Sequence, residues 1–200
     1  MKKCVVCKKN IFTKRVELKG GDYCHKKCYY ETNEGKSYLN LVNARSLFYE
    51  GKLKESLKIV DYELKINPKI LDFLELKGKL LMTNNPKEAL FFLEKAYKRN
   101  QEIYGENFQI NKMQEIRENK ESQDWFFKNK YTITSYEDLL DNLINISIRL
   151  RKKELAKKYF KQKSLLMQGP CNSNTWNECL NEFDNTYNKI ISNEKLSKKK

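Results

Sequence analysis

The sequence predicts a mainly α-helical chain with a small cysteine-rich module at its front. Three observations lead there. Only seven Gly and three Pro occur in 200 residues, too few for a fold that turns every few residues. From residue 35 onward, apolar residues recur at helical spacing. Four of the six cysteines fall within the first 28 residues, in a segment too short to bury a core of its own.

The front module comes first. Cys4-Val5-Val6-Cys7 is a C-x2-C pair, and 17 residues later His25-Lys26-Lys27-Cys28 is an H-x2-C pair. Zinc takes four tetrahedral ligands from thiolate and imidazole, and two short pairs supply them. Residues three apart share a helix face, so the second pair suits a helix start. Gly20-Gly21 before Asp22-Tyr23 predicts a hairpin leading into that helix. The expected ligands are Cys4, Cys7, His25 and Cys28, holding one structural Zn2+. Cys24 is the alternative to His25 through a C-x3-C spacing. His25 is favoured because H-x2-C fits one helical turn and it is the only histidine in the chain. Metal-free thiols and an iron–sulfur cluster on Cys4, Cys7, Cys24 and Cys28 are weaker alternatives.

This spacing resembles the first zinc module of a LIM domain, a treble-clef-type finger, with Tyr23 and Tyr29 as neighbouring aromatics. It departs in two ways. Residues 29–60 contain no Cys or His, so no second zinc module follows, and Cys24 stands where the family usually has an aromatic. The resemblance implies a partner-binding finger over residues 1–31.

Helical elements follow in order. Leu39, Val42, Leu47 and Phe48 precede a turn at Gly51. Leu53, Leu57, Val60 and Leu64 form the next helix, and Asn67–Pro68 ends it. Leu74, Leu76, Leu80 and Leu81 make a third helix up to Asn84–Asn85. Asn85 is an N-cap, with Pro86 at the first helical position and Glu88 completing a capping box. Leu90, Phe91, Leu93 and Ala96 continue that helix.

The two pairs repeat. KLKESLKIVDYELKINP aligns with NPKEALFFLEKAYKRN, placing Ser56 opposite Ala89, 33 residues apart. This resembles the tetratricopeptide repeat, a helix–turn–helix of about 34 residues, on Ser56, Ala89, Gly51, Ala96 and Pro68 over residues 35–100. The second turn is one residue short, and the usual Trp and Tyr of each first helix are missing. The resemblance implies a tetratricopeptide-like α-solenoid whose concave face holds a peptide or helix.

Residues 101–134 form a polar helical insert that breaks the repeat, with a turn at Gly105 and Asn107 and an aromatic run at Trp125, Phe126 and Phe127. A third pair is expected over 135–168, started by Ser135 and Asp138, with Ala156 in the small position after the Arg151–Lys153 turn. A capping helix over 173–193 carries Trp176, Cys179, Leu180, Phe183, Tyr187, Ile190 and Ile191 on one face, with Thr175 and Glu178 as its capping box. Cys171 and Cys179 are read as core cysteines, and Phe91, Phe92, Tyr97, Tyr159 and Phe160 as repeat core. Residues 194–200 form a basic tail.

The net charge of +14 is concentrated in patches. Residues 1–32 carry nine Lys/Arg against three acids, and residues 149–163 carry eight against one. Clustered cations suit an anionic partner. Arg151, Lys152, Lys153, Lys157, Lys158 and Lys161 are candidate phosphate contacts on one basic helix. Lys8, Lys9, Lys14, Arg15, Lys26 and Lys27 offer the same from the front module.

There is no run of eighteen apolar residues and no apolar core after the basic start, so no membrane segment or signal peptide is expected. A cytoplasmic location follows, where clustered cysteines hold metal rather than form disulfides. No P-loop, dinucleotide-binding glycines or Ser-His-Asp pattern is present, and the one histidine belongs to the metal site. The expected function is therefore a non-catalytic adaptor that binds a protein partner through its helical repeats. The alternative is a nucleic-acid-binding or regulatory protein that uses the basic finger, the basic helix 149–163 and the Lys tail.

Overall fold

The computed structural model describes the backbone of residues 3–11, 15–18, 21–105, 110–111, 113, 121–168 and 173–197. It describes the side chains of all of these except 121–134, 168, 173–176 and 193–197. Among the described residues the fold is mainly helical, with eight helices and a small antiparallel hairpin near the N-terminus. The chain divides into two compact units, Met1–Leu76 and Lys77–Lys200.

The first unit opens with a tight turn closed by an isolated bridge between Lys3 and Asn10. Strands β1 (Arg15–Glu17) and β2 (Tyr23–His25) follow, with Val16 opposite Cys24. Helix α1 (Lys26–Tyr29) continues directly from β2. Thr32 then caps α2 (Asn33–Tyr49), its hydroxyl accepting from the Gly35 N–H at 3.0 Å and donating to the Tyr29 carbonyl at 2.6 Å. A Cβ on Gly35 would lie within 2.7 Å of Tyr30 Cα and closer still to the Tyr29 carbonyl. The module and α2 are therefore in backbone contact, with no loose linker between them.

Helix α3 (Leu53–Ile66) pairs with α2. The buried Ser56 hydroxyl donates to the Ala44 carbonyl at 2.7 Å. The buried Glu63 carboxylate accepts from Ser37 at 2.7 Å and Asn40 at 2.6 Å, which satisfies a group that would otherwise be costly to bury. Helix α4 (Leu71–Leu81) begins in the first unit and ends in the second.

In the second unit, Asn85 caps α5 (Pro86–Tyr104) as the sequence predicts, accepting from the Glu88 N–H and donating to the Glu88 carboxylate at 2.7 Å. Gly78 lets α4 approach α5 closely, because a Cβ there would meet Leu93 at 2.5 Å. Helix α6 (Glu121–Arg149) packs on α5 and α7 (Lys153–Gln168), and α7 packs on α8 (Ser173–Ser197). Leu139, Leu140, Leu143, Ile146, Ala156, Tyr159 and Leu166 fill this core. Each large apolar side chain buried there contributes about 1.5–3 kcal/mol.

Two helical turns are built alike. After α2, the Gly51 N–H donates to the Phe48 carbonyl and the Lys52 N–H to the Leu47 carbonyl. After α6, the Arg151 N–H donates to the Ile148 carbonyl and the Lys152 N–H to the Ser147 carbonyl. Both are Schellman closures with a left-handed residue at the hinge, Gly51 at φ 78 and Arg151 at φ 57. The next helix of each pair turns a fully buried small residue inward, Ser56 or Ala156.

The structure departs from the sequence reading at several elements. Ser135 does not start a helix; it lies inside α6, which runs unbroken from residue 121. Helix α8 starts two residues before Thr175. Phe91 is not core but half-exposed, with the Lys95 ammonium 4.5 Å above its ring. Leu39 and Val42 also face outward. Helix α2 is apolar on two sides, and spacing alone assigned both sides to the interior. The side chains of Trp125, Phe126, Phe127 and Trp176, and Cys171 altogether, lie outside the described residues. Among the described residues, no helix is long and apolar enough to cross a membrane.

Candidate metal centre

The first pair of candidate ligands sits on the opening turn. The Cys4 N–H donates to the Lys9 carbonyl at 2.9 Å and the Lys8 N–H to the Cys4 carbonyl at 2.9 Å. Lys8 takes a left-handed φ of 60 to complete the turn. Cys4 and Cys7 thus project from one tight loop. The Val5 N–H donates to the Tyr23 carbonyl at 3.0 Å, which ties that loop to β2.

The second pair sits where β2 becomes α1. His25 is the last residue of β2 and the N-cap of α1, and Cys28 lies one turn later. The Sγ atoms of Cys4, Cys7 and Cys28 and a ring nitrogen of His25 all lie within 4.8 Å of one another. In a tetrahedral zinc site with Zn–S near 2.3 Å, sulfurs stand about 3.8 Å apart. A contraction of about 1 Å at most therefore closes the shell around one ion.

The His25 ring is oriented for this task. Its Nε2–H donates to the Asn10 carbonyl at 3.2 Å. A carbonyl only accepts, so the proton sits on Nε2 and the Nδ1 lone pair is left for a ligand. Nδ1 faces the sulfurs, 3.4 Å from Cys7 Sγ and 4.0 Å from Cys28 Sγ. A carbonyl on the distal nitrogen is the usual support for a metal-bound imidazole.

The thiols are held unequally. Burial pushes Cys4 up, but backbone hydrogen bonds from Cys7, His25 and Val6 and the Cys7 side chain outweigh it and bring Cys4 down to about 6. Burial, and then hydrogen bonds to Cys7 and Cys4, push Cys28 up to about 11. The Cys4 thiolate is favoured and Cys28 keeps its proton, because adjacent anions repel. A divalent cation among them removes that repulsion and deprotonates its ligands.

Cys24 is not part of this group. It is fully buried beside Cys4 and Cys28, in a small apolar cluster that includes Val5, Val6, Ile11, Val16, Leu18 and Tyr29. Burial, followed by the Cys4 and Glu34 charges, raises its thiol above the ordinary value. Successive strand residues point to opposite faces, so with His25 turned toward Cys7 and Cys28, Cys24 points into the module's own core. The choice between the two was open from spacing, and the two-residue alternation of β2 separates them.

The expected basic helix 149–163 is broken by a turn between α6 and α7, which holds Arg151 and Lys152, and the four candidate phosphate contacts on α7 have other partners. Lys153 and Lys157 approach the Asp184 carboxylate at 3.1 and 3.8 Å. Lys158 lies over the rings of Tyr97 and Tyr159, and Lys161 is also engaged. Arg151 forms the left-handed turn, and it and Lys152 are exposed. The side chains of the tail lysines lie outside the described residues.

An open depression of about 800 Å³ adjoins the metal-ligand group, lined by Lys3, Lys8, Lys9, Asn10 and Lys27 together with Cys7, His25 and Cys28. The sequence marks the front module as basic. It gives no sign that Asn10 supports the histidine or that Lys3 joins the others. No protein-family model, curated protein or solved structure matches this chain.

Proposed function

We propose that this chain is a non-catalytic adaptor. A LIM-like, treble-clef-type finger with one structural zinc on Cys4, Cys7, His25 and Cys28 precedes tetratricopeptide-like helix pairs that dock a protein partner. The order of turn, hairpin and ligand-bearing helix supports the finger assignment. The matched turns before Ser56 and Ala156, and the capped turn before Ala89, support the repeat assignment. Four ligands leave zinc no open position for catalysis.

One observation carries the docking role. Tyr38, Leu39, Val42 and Tyr49 are 50%, 46%, 48% and 82% exposed, and at these intervals they form one stripe along α2. The opposite side of α2, with Leu41, Ala44, Leu47 and Phe48, already faces α3 or the interior. Tyr62 and Ile66 on α3 are exposed as well. An apolar stripe left outside a helix pair suits a partner's amphipathic helix.

The test is affinity capture with the zinc-loaded full chain and with Val42→Glu and Tyr49→Ala. A partner that co-purifies with the wild type and is lost from both variants, at unchanged helicity and zinc content, supports the reading. Retention of the same partner by both variants would show that docking occurs elsewhere.

A further inference from the structure

Among the described residues, the lysines that line one depression without an ion pair lie at the finger and not on the helix the sequence singles out. Helix α7 has the densest run of Lys and Arg, but Lys153, Lys157 and Lys158 are matched within the protein by Asp184 and by tyrosine rings. Lys163 is matched too, by Asp141 at 2.6 Å. At the finger the reverse holds. Lys3, Lys8, Lys9 and Lys27 surround one depression, and among the described residues none of the four is ion-paired.

We propose that this depression, on the open side of the metal centre, is a phosphate-binding mouth that takes the backbone of a nucleic acid. The inference goes beyond the adaptor reading and does not depend on a protein partner. It relies only on the finger being folded around its metal. A zinc ion with three thiolates and a neutral imidazole carries one net negative charge. Four lysines therefore leave a surplus of three positive charges at the rim.

The chemistry of the rim selects the occupant. Four separate ammonium groups around a wide opening are point charges suited to successive phosphates along a strand. A single small phosphate would instead call for an arginine fork or a nest of backbone N–H groups, and the lining has no arginine. An anionic membrane would call for large apolar side chains beside the cations, and the lining has none. Contacts of this kind add affinity without reading sequence.

The test is fluorescence anisotropy of a labelled oligouridylate strand with the zinc-loaded full chain, from about 50 to 200 mM salt. Four phosphate contacts predict that log K falls against log salt with a slope of about −3. Lys3→Glu/Lys9→Glu/Lys27→Glu should weaken binding by more than about tenfold and flatten the slope by about two. Lys8 is left in place because the metal-binding turn needs its conformation. Arg151→Glu/Lys152→Glu should leave binding unchanged. Zinc content is measured for each protein. If the triple Glu variant loses its metal, the triple Lys→Gln variant, which adds no acid near the thiolates, is the one read. Absence of binding at the lowest salt overturns the proposal. So does loss of binding in the Arg151→Glu/Lys152→Glu variant with retention in the finger variant. Binding to phosphatidylserine vesicles but not to the strand would assign the mouth to a membrane, and full displacement of the strand by millimolar inorganic phosphate would assign it to the free ion.

Discussion

His25 is oriented as a candidate ligand by a hydrogen bond that no spacing rule foresees. The Asn10 carbonyl holds the proton on Nε2, and this leaves Nδ1 toward Cys7 and Cys28. Cys24, one residue earlier, is turned into the core by strand alternation. Native mass spectrometry should therefore find one zinc per chain in Cys24→Ala and none in His25→Ala. The opposite pattern would move the fourth ligand to Cys24. Gly35 gives a second test at this scale. Gly→Ala inside a helix ordinarily stabilises by about 0.5–1 kcal/mol. Here the new methyl would meet the Tyr29 and Tyr30 backbone, and overpacking against atoms that cannot rotate away costs about 1–3 kcal/mol. The clash should win, so Gly35→Ala should lower the denaturation midpoint of the zinc-loaded protein. An unchanged or higher midpoint would mean that α1 and α2 are free to separate.

Among the elements, the two Schellman turns are a matched pair with different residues. Gly51 takes φ 78 without cost, whereas Arg151 takes φ 57, which for a residue with a Cβ costs about 1–2 kcal/mol. Arg151→Gly should therefore raise stability in urea by about 0.5–1 kcal/mol, after the added freedom of the unfolded chain is subtracted. Gly51→Arg should lower it. A fall on Arg151→Gly would show that the Arg151 side chain contributes more than its backbone strain. Gly51 was legible as a turn because glycine marks such positions. Arg151 was legible only by analogy with it, through the small residue Ala156 at the matching place. The start of α6 was not legible. Ser135 and Asp138 look like a cap, but packing on α5 and α7 continues the helix past them, and local capping of about 1 kcal/mol does not break it. The finger should depend on metal more than the helices do. Cys7→Ser, or a chelator, should unfold residues 1–30 and leave most of the helical circular dichroism. Loss of most of that signal would show that α2 and α3 need the finger to fold.

For the whole molecule, the second unit holds three tyrosines in one interior. Tyr97 stacks near Tyr136 at 6.3 Å and meets Tyr159 edge-on at 5.4 Å. Burial, then the neighbouring Tyr97, raises the Tyr136 hydroxyl well above its ordinary 10. Burial, then the Glu94 charge, does the same for Tyr159. Folded values above unfolded ones mean that the unfolded chain releases these protons first as pH rises. Their contribution is complete below pH 10 and declines as pH climbs from there toward the folded values. Urea midpoints should accordingly fall above pH 10, and less steeply in Tyr136→Phe. Equal slopes in the two proteins would show that Tyr136 ionises freely while folded. The sequence by itself determined the helical class, the front module with its two pairs of candidate metal ligands, and the N-cap at Asn85. Each of these is a short-range pattern whose physics lies within a few residues. The tertiary structure alone decided that His25 rather than Cys24 faces the thiols. It also decided that α2 keeps an apolar stripe outside, and that among the described residues Lys3, Lys8, Lys9 and Lys27 line one depression without an ion pair while Lys153 and Lys157 of α7 meet Asp184. These outcomes depend on which distant group, Asn10 or Asp184, comes to lie beside a side chain, and spacing along the chain carries no record of that.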